Sequence, residues 1–380
     1  MKICILTLRY PSVVDPTSLT FVQQLAWQFA DEGQDVDVIC PLPLHKFRDL
    51  KKIPQITIEH TEKGNKVTVY HPRSIYFGQI WLGKWNTAYL STKLFKVAVD
   101  SVLFRIDRKP DVLYGHFITP AGISASLLGR KYSIRSFVAY GESTPWTIDQ
   151  VGREKVKKLL EGISGVISVS TSNKEEIIHT GVVEEDKVEV FPNGYNPDRF
   201  SPKDKFESRK LFNLPQNKYI VAFVGHFIER KGIHVLKQAV DQIPDAYLIC
   251  AGKGKLKPEG RNVLFADTVN PNRLAYFYSA ADCFVLPTSN EGCCNAIIEA
   301  MACGLPIISS NQPFNDDILD DNNSIRIDPH DIQEVKNAIV MLMKDDNLRK
   351  EMGKASLKKA KSLTIQKRTE NILGFFDRMK

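Results

Sequence analysis

No stretch of the chain approaches the ~18 uninterrupted apolar residues that a membrane-spanning helix requires, so an integral membrane protein is not expected. The amino terminus, Met1 to Arg9, has too short an apolar run for a secretory signal and no small-residue cleavage site; it reads as a first strand. A GxxxxGK[ST] phosphate loop is missing, and so is any repeat of 20 to 50 residues, which sets aside P-loop enzymes, solenoids and propellers. The seven cysteines, at 4, 40, 250, 283, 293, 294 and 303, are odd in number and have no paired CxxC spacing. That pattern argues against a disulfide framework and a zinc site and for a reducing compartment, the cytoplasm. No nucleic-acid-binding motif accompanies the basic residues, and nucleic acid is not expected as a partner.

What is present fits a protein of two α/β domains. The 380 residues are 43% apolar and 25% charged, enough for two full cores. The net charge of +7 is unevenly placed, with 16 Lys and Arg against 6 Asp and Glu between Lys46 and Arg135. In that quarter Phe77, Trp81, Trp85 and Tyr89 recur every fourth residue, which on a helix makes one slowly drifting aromatic stripe. Lys84, Lys93, Lys96, Arg105, Arg108 and Lys109 lie beside or just after it. Two readings stand: the stripe packs on its own domain, or residues 77–109 make a peripheral contact with anionic lipid headgroups at the inner face of the cell membrane.

Short apolar runs alternate with amphipathic segments, the pattern of parallel sheets covered by helices. One series of expected strands starts at residues 2–8, 36–40, 67–70, 111–114, 136–139, 166–169 and 188–191. A second starts at 219–224 and continues at 246–251, 263–265, 283–286, 306–309 and 325–327. The breaker-rich run Pro192-Asn193-Gly194-Tyr195-Asn196-Pro197 separates them, giving expected domains of residues 1–197 and 198–362. Two facing Rossmann-like domains imply a cleft outside the carboxyl ends of their strands.

The chemistry concentrates in residues 289–306. Asn295 is a plausible helix cap, Gly304 a stop, and the helix between them is apolar on every side except at Glu299. An unpaired buried carboxylate costs several kcal/mol, so Glu299 must meet donors, either a buried arginine or ligand hydroxyls. Glu291 stands eight residues earlier; helical geometry throughout would separate the two carboxylates by about 12 Å. Gly292 lets the backbone pass close to a ligand, and the amides of Cys293, Cys294, Asn295 and Ala296 at the helix start suit phosphate oxygens. Cys293-Cys294 also admits a redox reading, against which small-residue packing is the plainer one. A second anion site follows the strand at 219, where Arg230 and Lys231 precede a helix that begins near Gly232. Gly252-x-Gly254 lacks the third glycine of a dinucleotide fold.

These segments together resemble the retaining glycosyltransferases of family 4, of GT-B architecture. The resemblance rests on Glu291-x7-Glu299 with Ala300-Met301-Ala302-Cys303-Gly304-Leu305-Pro306, on Pro192-Asn193-Gly194-Tyr195-Asn196, on Gly225 to Gly232, on Gly252-Lys253-Gly254, and on Asp111 to His116. It implies that Glu299 accepts ribose hydroxyls and that Glu291 contacts the sugar near the reacting carbon. Lys231, assisted by Arg230, would neutralise the leaving diphosphate, and the loop from Ala266 to Val269 would hold the base. His226 stands where the family usually has arginine, and Tyr140 where many members have histidine. His116, Tyr140 and Glu142 are the polar candidates on the acceptor side. The first loop, Tyr10 to Ser18, has none of the glycines common there. The carboxyl-terminal helix, about 363–380, returns to the first domain in that family; packing on the second is the alternative. The implied activity is metal-independent, cofactor-free transfer of a sugar from a nucleotide-diphosphate donor to a polysaccharide, cell-envelope or lipid-linked acceptor. An epimerase or hydrolase of the same fold, and a non-catalytic binding subunit, are the rival readings.

Overall fold

The computed structural model describes residues 1–379 apart from Thr17, 45–50, 76, 78–79 and 83–84, and for Trp81, Leu82 and Trp85 it describes the backbone alone. Lys46 and Lys84, named above, lie outside the described residues. The chain divides into two units, Met1–Phe191 with Thr369–Lys380, and Pro192–Arg368. The division falls at 191/192 and not at 197/198 because the intervening segment bonds into the second unit. Tyr195 N donates to Leu363 O, Ile365 N to Tyr195 O, and the Arg368 guanidinium to Pro192 O.

The first unit is built on β1 (Lys2–Leu6), β2 (Asp35–Ile39), β3 (Ile56–His60), β4 (Lys66–Tyr70), β5 (Val112–His116), β6 (Arg135–Tyr140), β7 (Gly165–Ser168) and β8 (Val188–Val190). They form one sheet in the order β8-β7-β6-β5-β1-β2-β4-β3, parallel except for β3. β1 is Lys-Ile-Cys-Ile-Leu and buried throughout, as a central parallel strand covered on both faces must be. Its helices are α1 (Thr20–Asp31), α2 (Ala88–Arg105), α3 (Ile123–Tyr132), α4 (Trp146–Val151), α5 (Arg153–Leu160) and α6 (Thr171–His179). Asp35 and Asp37 on β2, an Asp-x-Asp by spacing, lie against the Lys2 ammonium, 3.0 Å from Asp37 and 3.9 Å from Asp35.

Of the expected aromatic stripe only Tyr89 lies on a helix; Trp81 and Trp85 lie on short paired strands. Trp81–Leu82 pairs antiparallel with Trp85–Asn86, and α2 begins only at Ala88. Trp81 pairs with Asn86 and Leu82 with Trp85, so Trp81 and Trp85, four apart, stand on opposing strands without being directly paired. β3 is the one main-sheet strand absent from the expected series; its outward positions, Ile56 and Ile58, are exposed at the sheet edge.

The second unit holds β9 (Tyr219–Val224), β10 (Ala246–Ala251), β11 (Val263–Asp267), β12 (Cys283–Leu286), β13 (Ile307–Ser310) and β14 (Ser324–Ile327), all parallel in the order β11-β10-β9-β12-β13-β14. Its helices are α7 (Lys205–Leu211), α8 (Ile233–Asp241), α9 (Leu274–Ser279), α10 (Asn295–Ala302), α11 (Ile332–Lys344) and α12 (Asp346–Ala360). The chain order reverses between β9 and β12, so the carboxyl ends of those two strands are where a crevice opens in this topology.

A last helix, α13 (Ile365–Arg378), starts in the second unit and ends in the first. Phe376 packs on Phe137 with ring centroids 4.4 Å apart and stacks on Phe29, and Phe375 lies 5.6 Å from Phe137. Gly165 makes room for this, since a Cβ there would sit 2.6 Å from the Phe375 ring. Among the described residues no helix is long and apolar enough to cross a membrane.

Candidate active site

Beyond Val224 the chain runs through Gly225-His226-Phe227-Ile228 into one 3-10 turn, Glu229–Lys231, before α8. Gly232 sits at φ +67°, and a Cβ on it would lie 2.0 Å from Pro287 O, so only glycine lets this turn press onto the loop after β12. Ser289 N and the Thr288 hydroxyl both donate to Arg230 O, at 2.9 and 3.1 Å. This contact brings three predicted residues together. Lys231 Nζ lies 2.5 Å and an Arg230 guanidinium nitrogen 2.6 Å from Glu291 Oε1, and Thr288 Oγ1 donates to the same oxygen at 3.0 Å. Arg230 also donates to Asn290 O. Two cations against one carboxylate leave a positive charge beside the amino-terminal end of α8, where the helix dipole disfavours it and a bound anion would be stabilised.

The segment from Asn290 to Cys294 is not helical, so the 12 Å expected between Glu291 and Glu299 does not apply. Cys294, not Asn295, occupies the cap position of α10, and it makes no side-chain cap bond. Asn295 is the first helical residue, and its Oδ1 accepts from Asn193 Nδ2 at 2.8 Å. The amides of Cys293, Cys294, Asn295 and Ala296 therefore bracket the helix start. Gly304 stops the helix in the left-handed region at φ +82°. Burial pushes the Cys293 thiol up to about 11 and raises that of Cys294 as well, the opposite of what a reactive thiolate needs.

Glu299 makes no ion pair with arginine among the described residues. Its Oε2 accepts from the hydroxyl of the fully buried Tyr278, on α9, at 2.9 Å. Burial pushes its carboxyl up to about 7, while the Tyr278 hydrogen bond and the charge of Arg199 pull the other way. Arg199 Nε is itself buried without a hydrogen-bond partner among the described residues. His226 is exposed, Gly292 buried, and Val269 half-buried in the loop after β11, where it packs on the core. Loop 225–228 is fixed to loop 251–256: Gly225 N donates to Ala251 O, Phe227 N to Lys253 O and Leu256 N to Phe227 O. Among the described residues no group of three or more His, Cys, Asp or Glu could hold a metal ion.

In the first unit the chain order reverses between β1 and β5, and the acceptor-side candidates follow β5 and β6. His116 closes β5, buried among the rings of Phe21, Tyr114 and Phe117 at 5.3, 6.1 and 4.8 Å. Glu142 follows β6, accepting from Ile118 N at 3.2 Å and Gly141 N at 3.3 Å, and burial pushes its carboxyl up to about 7. Tyr140 closes β6, fully buried, and its hydroxyl donates to Glu176 Oε2 at 2.5 Å. Tyr278, Arg199 and Glu176 were not singled out from the sequence, because each acts across 21 to 100 positions with no spacing signal. Thr288, three residues before Glu291, was within reach of a closer reading of that loop.

Two Rossmann-like α/β units of this kind define a protein of GT-B build. Residues 204–359 match the family described as Glycosyl transferases group 1, and residues 19–199 that described as Glycosyltransferase Family 4. The chain belongs to this glycosyltransferase family and is a transferase enzyme. It is 26% identical over 358 residues, 89% of this chain and 88% of the relative, to the putative teichuronic acid biosynthesis glycosyltransferase TuaC of Bacillus subtilis. Among solved structures, sucrose-phosphate synthase from Thermosynechococcus elongatus has a TM-score of 0.79 at 19% identity, covering 100% of this chain and 98% of the other. HepE of Anabaena in complex with UDP has a TM-score of 0.75 at 16% identity, with both chains covered entirely.

Proposed function

We propose that this enzyme moves a sugar, with retention of anomeric configuration, from a nucleoside-diphosphate donor to a growing envelope polysaccharide or its lipid-linked precursor. The reaction runs in the cytoplasm at the inner face of the cell membrane. The observation that carries the donor half is the Arg230–Lys231–Glu291 cluster at the β9/β12 reversal. A diphosphate placed there takes the two cations from Glu291, and their charge then opposes the negative charge that develops on the leaving phosphate as the glycosidic bond breaks. Those cations do the work that a divalent ion does elsewhere, so transfer proceeds without added metal. The released Glu291 carboxylate faces the sugar, and Glu299, ionised on binding, accepts ribose hydroxyls while Tyr278 holds its other oxygen. His226 and the loop after β11 bound the nucleotide; on the acceptor side Glu142 and His116 are the groups to meet a hydroxyl. The acceptor class is supported by the likeness to TuaC over nearly the full length, and a uracil nucleotide by the fold shared with UDP-bound HepE.

The test is a thermal-shift screen against UDP, GDP, ADP and their common sugars, followed by product release with and without envelope glycan. Selective stabilisation by one nucleotide, acceptor-dependent release of it, and a product of the donor's anomeric configuration are expected. Stabilisation by none of them refutes the donor reading. Release independent of acceptor makes the protein a hydrolase, and an inverted anomer refutes retention.

A further inference from the structure

We infer that α2 lies flat on an anionic bilayer through a stripe of Leu90, Val97 and Phe104. This rests on the membrane-borne acceptor proposed above and replaces the aromatic stripe at 77–89 with different residues. Leu90, Val97 and Phe104 are 47, 59 and 77% exposed, on a helix whose opposite side is buried through Phe95, Val99 and Leu103. They recur every seventh residue, so they drift only about 20° per step and form one line some ~21 Å long. At 100° per residue Lys93 lies about 60° to one side of Leu90's line near its start and Arg105 about 60° to the other side at its end, a cation on each side of the apolar line. The single carboxylate of α2, Asp100, is held by Lys131 at 2.7 Å and the Tyr132 hydroxyl at 2.6 Å, and so does not neutralise that flank.

The surface continues off the helix at its amino-terminal end. Exposed Ile80 is tied to the helix start: its N donates to Thr87 Oγ1 at 2.9 Å and Thr87 N donates back to Ile80 O at 3.0 Å. α4, which carries the 47% exposed Trp146, packs against α2. Lys155 of α5 stands 3.3 Å from the Tyr89 ring centroid and Lys93 4.7 Å from it, which stacks two ammonium groups on one ring. α5 holds four cations against one carboxylate. An exposed apolar line with Tyr89 and its two lysines at one end and a cation on each side matches the interface of an anionic bilayer, where apolar groups enter the acyl boundary and lysines meet phosphate. A second copy of the chain is a poorer occupant, because its own flanking cations would face these.

Sedimentation with extruded vesicles of equal parts phosphatidylglycerol and phosphatidylcholine, against phosphatidylcholine alone, tests the assignment. The full chain is expected to sediment with the anionic vesicles, weakly with the neutral ones, and less as salt rises. Val97→Ser with Phe104→Ser should cut vesicle affinity at least about tenfold, and so should Lys93→Glu with Arg105→Glu. The charge pair carries the same test should the serine pair fail to fold. Nucleotide binding in both variants should equal that of the parent, which separates this proposal from the transferase reading: parent protein that binds nucleotide but no vesicle refutes the bilayer face alone. Retention unchanged by both variant pairs refutes it too. So does a dimer, seen by size exclusion, that the serine pair dissociates.

Discussion

Glu299→Gln should make the protein more stable at pH 8 while weakening its hold on nucleotide. In the folded chain burial lifts the Glu299 carboxyl from 4.5 to about 7. Because the folded pKa lies above the unfolded one, folding is unpenalised below about pH 4.5, where both states are protonated. The penalty grows as pH rises between the two values and is complete above about 7. A separation of that size corresponds to about 3 kcal/mol, of which less than ~1 kcal/mol is already present at pH 5. Glutamine keeps the shape and can still accept from the Tyr278 hydroxyl at the same position, but it carries no charge to bury. The variant should therefore gain about 1 to 3 kcal/mol at pH 8 and little at pH 5, the lower bound allowing for an amide group left short of partners. Thermal unfolding of parent and variant at both pH values reads this directly, with a rise of several degrees in midpoint at pH 8 alone. Titration with the stabilising nucleotide should show at least about tenfold weaker binding, since a ribose hydroxyl then donates to a neutral oxygen. A variant that is neutral or destabilised at pH 8, or that gains equally at both pH values, refutes the buried-charge account; unchanged nucleotide affinity refutes the ribose contact.

Glu291→Gln removes the counter-charge of Arg230 and Lys231, so nucleoside-diphosphate affinity should hold or rise while transfer falls by about 100-fold or more; equal loss of both would show that Glu291 only builds the loop. Gly232→Ala should cost about 2 kcal/mol or more by chemical denaturation and abolish donor binding, because a Cβ there meets Pro287 O at 2.0 Å. Tyr140→Phe removes the hydroxyl that donates to the half-buried Glu176 and should lower stability by about 1 kcal/mol with nucleotide affinity unchanged, as both residues belong to the first unit. Gly165→Ala should likewise destabilise without touching the donor site, since its Cβ would collide with Phe375.

The second unit was more legible in the sequence than the first, for a physical reason. Its strands Tyr219–Val224, Ala246–Ala251 and Cys283–Leu286 are buried runs between turn residues, and each matches its expected span. In the first unit β3 escaped notice because Ile-Thr-Ile-Glu-His is exposed on alternate residues at a sheet edge, and the basic segment around it carries little burial signal. The pairing of Trp81–Leu82 with Trp85–Asn86 was missed because an aromatic spacing of four also fits one face of a helix, and nothing local in the sequence distinguishes the two.

The site was legible in its charges and not in their arrangement. That Glu299 needed donors followed from one acid in an apolar helix, but the donor that arrived, Tyr278, sits on a different helix and could be placed only by packing α9 against α10. Glu291, Arg230 and Lys231 were each expected at a ligand, yet their mutual ion pair depends on Gly232 reaching Pro287, a tertiary contact. This pairing has a consequence for the chemistry. On the proposed reaction, Glu291 is freed from Arg230 and Lys231 only when the donor's diphosphate displaces it, so its charge reaches the sugar as the leaving group is neutralised. The salt dependence of nucleotide binding checks this: displacing an internal carboxylate cancels part of the ionic attraction, so the parent should show a shallower dependence than Glu291→Gln. Equal slopes would mean that the ion pair survives in the complex.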